Sequence, residues 1–459
     1  MIETHLSLFR QTAKVGLIKT VHDLFPDDSL RIVYSIRNGV FCKLADSLLS
    51  EREVKLINLR LGEWVKRNNP VVLKGKSNGY YHYDVDGFIV KTSYPAGCLP
   101  AETAPFVVVP FLGGLIINFV TDADVQKELI LPQKLATTYF KSRWWLSNLG
   151  ISVVDDINKY IKDGHGTELI GIAEALQEKE ISDIADSILA QKRAVRIVLI
   201  SGPSSSGKTT FARRLSTQLR VNGMRPFPLS LDDYFVNRPD TPLDIDGNYN
   251  FESPYALDLP LIQQHIAQLI NGETINIPSF DFVTGMRGTE TKPMKLGASD
   301  IVVIEGIHAL NPILLPNITR NIAFRIYVSA LFNLNIDSLN RIPTTEVRMI
   351  RRLVRDEQFR GITPEETFAR WTSVRRGEDA NIFPYQEECD VMFNSSLMYE
   401  MNALRYFAEK AFAKIPPNSP HRLSQERLLN LLSFFEPMEA DKVPFNSILK
   451  EFIGGSVYF

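Results

Sequence analysis

Cysteine is scarce and scattered in this chain. Cys42, Cys98 and Cys389 are the three in 459 residues. They form no CxxC pair and no Cys/His ligand spacing, so neither a disulfide framework nor a zinc site is expected, and a reducing, cytoplasmic setting fits. Charge of one sign is also lacking. The formal net charge is -2, which gives no global pull toward nucleic acid or an anionic membrane, and neither is expected as a partner. The first residues, MIETHLSLFRQTAK, lack the basic-then-apolar layout of a signal peptide. The longest uncharged segment, Thr103 to Thr121, is interrupted by Pro105, Pro110, Gly113 and Gly114. These residues break a spanning helix, and the β-branched halves read as two buried strands around a turn. Internal repeats and low-complexity tracts are absent as well.

What is present is ordinary globular composition, 44% apolar and 23% charged, in a chain long enough for two or three domains. Residues 1–165 begin with a helical pattern in which Leu6, Phe9, Ala13, Leu17 and Val21 recur at spacings of three and four. Two strand-like runs, LRIVYSI and VFCKLA, follow around Arg37, Asn38 and Gly39, a hairpin signal. A second helix over roughly 50–67 and β-rich sequence complete an α+β module. Gly164, His165 and Gly166 precede a charged helical connector over 166–194. Over 195–415 strand-like runs alternate with helical ones, which predicts a parallel sheet flanked by helices, an α/β domain. A helical tail over 416–459 ends in KEFIGGSVYF.

The chemistry starts at SGPSSSGKTT. Gly202 to Thr209 matches GxxxxGK[ST] between an apolar strand and an amphipathic helix. In such a loop backbone N–H groups turn inward around phosphate oxygens and the helix N-terminus adds its positive end. Gly202, Ser204, Ser205, Ser206, Gly207, Lys208, Thr209 and Thr210 are the candidate nucleotide-binding residues. Lys208 would reach the outer phosphates and the Thr209 hydroxyl would ligate magnesium. Glu305, ending the run IVVIE, is the candidate second magnesium partner. Asp232 and Asp233 follow another short strand; a carboxylate there can accept the proton of an alcohol, or it can cap the next helix. Arg348, Arg351, Arg352 and Arg355, at offsets zero, three, four and seven, share a helical face with Arg360 just beyond. That face suits a lid over a triphosphate, a solvated surface paired to Glu346, Asp356 and Glu357, or an RNA contact.

With GPSSSGKTT, SLDDYF, YNFESPYALD, IPSFDFVTGMR, VVIEGIHALNP and RRLVRDEQFRG in order, the segment from about 195 to 400 resembles the uridine kinase/phosphoribulokinase family of P-loop kinases. The resemblance implies ATP and Mg2+ as cofactors and phosphorylation of the 5'-hydroxyl of a nucleoside, uridine by default. It implies Asp232 as proton acceptor, Glu305 as magnesium partner, Arg352 near the sugar and moving phosphoryl group, and Arg355 and Arg360 in the lid. The acceptor side departs from the family pattern. Phe235 stands for a tyrosine, Glu252 for a ribose-binding aspartate, Gly285 for a base-reading histidine and Ile362 for an arginine, while Phe280 keeps the stacking aromatic. Polar recognition of the pyrimidine therefore does not carry over.

Two other readings stay open: a kinase of a sugar phosphate or other small alcohol, and a nucleotide-sensing, RNA-associated regulator. FPDDSLRIVYSIRNGVFCKL resembles the second additional domain of threonyl-tRNA synthetases. The HxxxH pair of that domain falls near Gln11 and Val15, so no metal site and no deacylation is expected. A homo-oligomer is compatible with all of these readings.

Overall fold

The computed structural model describes residues 2–36, 39–103, 105–119, 132–191, 195–316, 318 and 320–458. Arg37 and Asn38 of the expected hairpin turn, and Thr121 at the end of the uncharged segment, lie outside them. The amino-terminal half opens with helix α1 (Ile2–Leu24), the hairpin β1 (Leu30–Ile36) and β2 (Gly39–Leu44), and helix α2 (Glu51–Arg67). Ser50 and Glu53 form a capping box at the start of α2, and Asn68 ends it in a left-handed conformation. Val54, Ile57, Leu61 and Trp64, at helical spacing, are its buried face.

Strands β3 (Val72–Ser77), β4 (Tyr80–Val85) and β5 (Phe88–Thr92) form a small antiparallel sheet. Strands β6 (Phe106–Phe111) and β7 (Gly114–Phe119) join the first hairpin in the order β1-β2-β7-β6. The run FVVVPFLGGLIINF thus folds as two strands around Leu112 and Gly113. β7 is largely buried, whereas β6 alternates between core and surface. No helix among the described residues is long and apolar enough to cross a membrane.

Helices α3 (Gln133–Asn148), α4 (Val154–Lys162) and α5 (Gly166–Leu189) lead to the second half. There β8 (Ile197–Ser201), α6 (Lys208–Val221), β9 (Pro226–Ser230), α7 (Leu259–Ile270), β10 (Thr274–Ile277), β11 (Phe280–Asp281), β12 (Met286–Arg287), β13 (Lys292–Lys295), β14 (Ile301–Glu305) and β15 (Ala323–Ser329) follow. Helices α8 (Thr344–Phe359) and α9 (Pro364–Asn381), strand β16 (Val391–Asn394), and helices α10 (Glu400–Phe412), α11 (Arg422–Leu432) and α12 (Lys450–Ile453) complete the chain.

The main sheet has the order β16-β15-β8-β14-β9, and every pairing in it is parallel. Its central strands read IVLIS and IVVIE and are buried along their whole length, as strands covered on both faces must be. Phe211, Leu215 and Leu219 seat α6 on one face, with Phe211 packed on Phe393 at 4.4 Å between ring centroids. α5 lies beside α6, joined by the Arg214 guanidinium, which donates to Glu178 at 2.6 Å and Gln177 at 2.9 Å.

The two halves meet along residues 335–346. Asn335 donates to the Ile32 carbonyl at 2.7 Å, the Ser93 N–H donates to Asn340 Oδ1 at 2.6 Å, and the Tyr94 hydroxyl donates to Glu346 at 2.7 Å. The three cysteines are unpaired.

Candidate active site

The carboxyl ends of three neighbouring strands carry the candidate groups, at the edge where open parallel sheets bind ligands. The phosphate loop follows β8, Glu305 ends β14, and Asp232 follows β9. In the sheet register Glu305 stands between Ile200 and Ser230. Gly207 enters α6 at φ +82°, a conformation that favours glycine. The hydroxyls of Ser205 and Ser206 are buried without a hydrogen-bond partner. Buried polar atoms of this kind normally find one, so the hollow of the loop is built to receive acceptor atoms.

Lys208 is buried and its ammonium donates to the Pro203 carbonyl at 3.1 Å. Burial holds its pKa below the usual lysine value, against the pull of Glu305, Asp232, Glu451 and Glu252. The Thr209 hydroxyl lies 3.4 Å from Glu305 Oε1, to which Ser230 also donates at 2.7 Å. Burial first, and the negative charge of Asp232 second, raise the Glu305 carboxyl to about 7. Among the described residues no group of three His, Cys, Asp or Glu side chains could hold a metal alone. Two oxygen donors beside acids short of cationic partners fit a hard divalent ion completed by phosphate oxygens.

Asp232 and Asp233 sit in a short helical turn over Leu231–Tyr234. The Ser230 hydroxyl accepts from the Asp232 N–H at 3.3 Å and supplies the cap, so neither carboxylate is spent on that task. Asp232 acts electrostatically on Lys208, Glu305 and Arg360 at once. Asp233 is raised by burial and then by Asp232.

The arginine face divides into two functions. Arg348 and Arg351 are wholly buried. Arg348 donates to Glu378 in a two-bond fork, 2.6 Å on one side, and Arg351 donates to Glu400 through Nε at 3.0 Å. Glu378 also accepts from the Ser204 N–H at 3.2 Å and from Arg375 at 3.0 Å. These two arginines are therefore neither lid, solvated surface nor RNA contact. They tie α8 to α9, α10 and the phosphate loop.

The remaining arginines are partly open. Arg352 reaches Ser204 Oγ at 3.1 Å, Arg355 donates to Asp356 at 2.9 Å, and Arg360 lies over the Phe282 ring at 5.2 Å. Arg355, and then burial, lower the Arg360 guanidinium to about 10. Burial would raise Asp356, but Arg355, Arg352 and Arg360 together hold it below the usual range. Glu346 and Glu357, expected to pair along this face, bind Arg427 and Lys414 instead.

Across the cleft Phe235 packs against Phe280 at 5.5 Å, Phe282 at 5.8 Å and Phe251 at 6.4 Å. Glu252 is buried with Oε2 unpartnered, and burial followed by Glu378 raises it to about 7. Gly285 has φ +74°, and a Cβ there would lie 2.5 Å from the Arg238 guanidinium carbon. Arg238 thus fills the space beside Gly285, held by a hydrogen bond to the Phe282 carbonyl at 3.1 Å.

Residues 197–400 match the Phosphoribulokinase / Uridine kinase family. The uridine kinase of Deinococcus deserti is 30% identical over 205 residues, 44% of this chain and 89% of that protein. The uridine kinase of Mycoplasma genitalium is 30% identical over 178 residues, 39% of this chain and 74% of that protein. This chain belongs to the phosphoribulokinase/uridine kinase family. It is an ATP-dependent phosphotransferase. A solved structure described as a possible uridine kinase from Bacillus stearothermophilus overlays with a TM-score of 0.34 at 22% identity, covering 47% of this chain and 98% of that one.

Within this family site, sequence reading passed over Glu378, Arg238 and His308. Glu378 lies in a helix of mixed charge with nothing in its spacing to mark it. His308, three residues after Glu305, is buried, and burial followed by Lys208 lowers it to about 4 against the opposing pull of the Ser253 backbone. Its place two residues past the EG pair was the signal available.

Proposed function

We propose that the chain transfers the γ-phosphoryl group of ATP to the primary 5'-hydroxyl of a nucleoside, with uridine as the first acceptor to test. The observation that carries this reading is the pairing of Asp232, beside Lys208 and Glu305, with the phenylalanine box of Phe235, Phe251, Phe280 and Phe282. The box offers a planar base faces to stack on. Glu252 holds a polyol ring, and the hydroxyl between them is set beside Asp232.

In this reading Asp232 takes the hydroxyl proton as the oxygen attacks. Lys208 and Arg352 meet the charge that develops on the moving group, and Arg355 and Arg360 hold the donor phosphates from the lid side. Thr209 and Glu305 are the residues that would hold Mg2+, which when bound would supply positive charge against the donor phosphates. Gly202, Ser204, Ser205, Ser206, Gly207 and Thr210 line the donor phosphates by backbone and hydroxyl donors.

The same reading divides the chain into an amino-terminal α+β domain over 1–165 resembling the threonyl-tRNA synthetase domain, a connector over 166–194, the kinase domain over 195–415, and a tail. The first domain is assigned a binding or structural role.

Release of ADP across a panel of nucleosides and sugar phosphates tests the proposal. Turnover with a nucleoside is the expected result, and turnover with none of them overturns it. Arg238 favours one second reading. A guanidinium beside Gly285, where a neutral reader of a pyrimidine edge would stand, suits an acceptor that is itself anionic, such as a sugar phosphate. Activity confined to the phosphorylated members of the panel would select that reading.

A further inference from the structure

We propose that the C-terminal segment is a built-in competitor of the nucleotide: Glu451 holds the seat of the donor's α-phosphate until ATP displaces it. The inference rests on the family's use of ATP and is independent of which acceptor is phosphorylated.

The Glu451 carboxylate accepts two hydrogen bonds from one residue of the phosphate loop helix, from the Thr210 N–H at 3.2 Å and from the Thr210 hydroxyl at 2.8 Å. Thr210 lies in the first turn of α6, whose N–H groups have no partner within the helix and whose dipole favours an anion. Along such a loop the order of donors follows the order of phosphates. Lys208 serves the outer phosphates, the Thr209 hydroxyl the metal, and the backbone donors around them the inner phosphates. A carboxylate on Thr210 therefore occupies the inner end of the phosphate track. Glu451 also acts electrostatically on both Lys208 and Glu305, as a group lodged in that track must.

The segment around Glu451 is packed for this position. Ile448, Leu449 and Phe452 are fully buried. Ile448 covers Gly207 so closely that a Cβ on the glycine would lie 2.5 Å from its Cγ2. Phe452 lies under the Arg351 guanidinium at 5.1 Å, and Gly454 lies against Phe359 at the far end of α8. Residues 448–454 thus touch the loop helix and the helix that carries Arg352 and Arg355. A donor phosphate arriving at Thr210 must take both hydrogen bonds from Glu451.

ATP binding to the full chain, measured by titration calorimetry without acceptor, tests the proposal. Glu451→Gln keeps the shape and an acceptor for the Thr210 N–H but removes the charge, and Glu451→Ala removes both. Each variant is expected to bind ATP about tenfold or more tightly than the wild type, since a hydrogen-bonded charge no longer has to be displaced. Equal or weaker binding by both variants overturns the proposal and makes Glu451 a supporting part of the donor site.

Amide exchange on the wild-type chain gives a second reading that needs no variant. Saturating ATP is expected to lower protection over 447–453, and unchanged or increased protection there counts against displacement. Absence of turnover with every nucleoside, with these ATP results as expected, would strike the acceptor assignment alone.

Discussion

Replacing Glu305 by glutamine separates the stability of this site from its chemistry. Glu305 is buried at the end of β14, and its carboxyl titrates at about 7 in the folded chain against 4.5 as the ordinary value. Folding therefore binds its proton more tightly than the unfolded chain does. The native state loses stability as pH rises from 4.5 to about 7, and the loss is complete above that. The gap amounts to about 3 kcal/mol at pH 8 and less than about 1 kcal/mol at pH 5.

Glu305→Gln keeps the bond from Ser230 and removes the titration. Its urea-unfolding free energy should fall less than that of the wild type between pH 5 and pH 8, by about 2 kcal/mol. The comparison between the two pH values is the decisive one, because at pH 5 the wild-type carboxyl is already neutral, whereas at pH 8 the variant also lacks the charge that pulls on Lys208. Phosphotransfer should fall by at least about a hundredfold in the same variant, since one of two candidate metal ligands is gone. Parallel pH profiles of stability for wild type and variant would refute the argument that burial keeps this acid protonated until a cation arrives.

Asp232→Asn should abolish transfer while leaving the calorimetric affinity for ATP near normal; retained turnover would remove Asp232 from the role of base. Glu378→Gln leaves the Arg348 guanidinium buried with its carboxylate partner neutralised and one acceptor of the fork lost, and unfolding in denaturant should show a loss of about 3–5 kcal/mol. A loss below about 1 kcal/mol would mean that the fork is not a structural tie. Arg238→Ala should raise the acceptor KM by about tenfold or more with the KM for ATP unchanged, and an unchanged acceptor KM would place Arg238 outside acceptor recognition.

The parallel sheet and its ligand edge were legible because their signals are local. Four-residue apolar runs before Ser201 and Glu305, rich in β-branched residues and each closed by a glycine just beyond, read as strands buried on both faces, and the loop between β8 and α6 carries its chemistry in consecutive residues. The arginine face was legible as a face and illegible as a function. Periodicity places Arg348, Arg351, Arg352 and Arg355 on one side of α8, but the identity of each partner is set by elements 30 to 49 residues away in sequence, Glu378 on α9 and Glu400 on α10.

A guanidinium whose fork is met by a buried carboxylate of another helix becomes a tie between helices, whereas Arg352, paired through Nε with Asp356 on its own helix, keeps Nη1 on the loop at Ser204 Oγ, where a phosphate can take it. No spacing rule distinguishes the two, because both require the same exposed-looking residue on the same stripe. The acceptor side was harder for the same reason. Gly285 looked like the loss of a polar reader, and only the fold brings Arg238, 47 positions earlier in the chain, into the space a side chain would have used. The same holds for Glu451, separated by 241 positions from the threonine that holds it. In each case the charge that decides what the site can bind comes from a distant element, and the motif supplies only the backbone on which it lands.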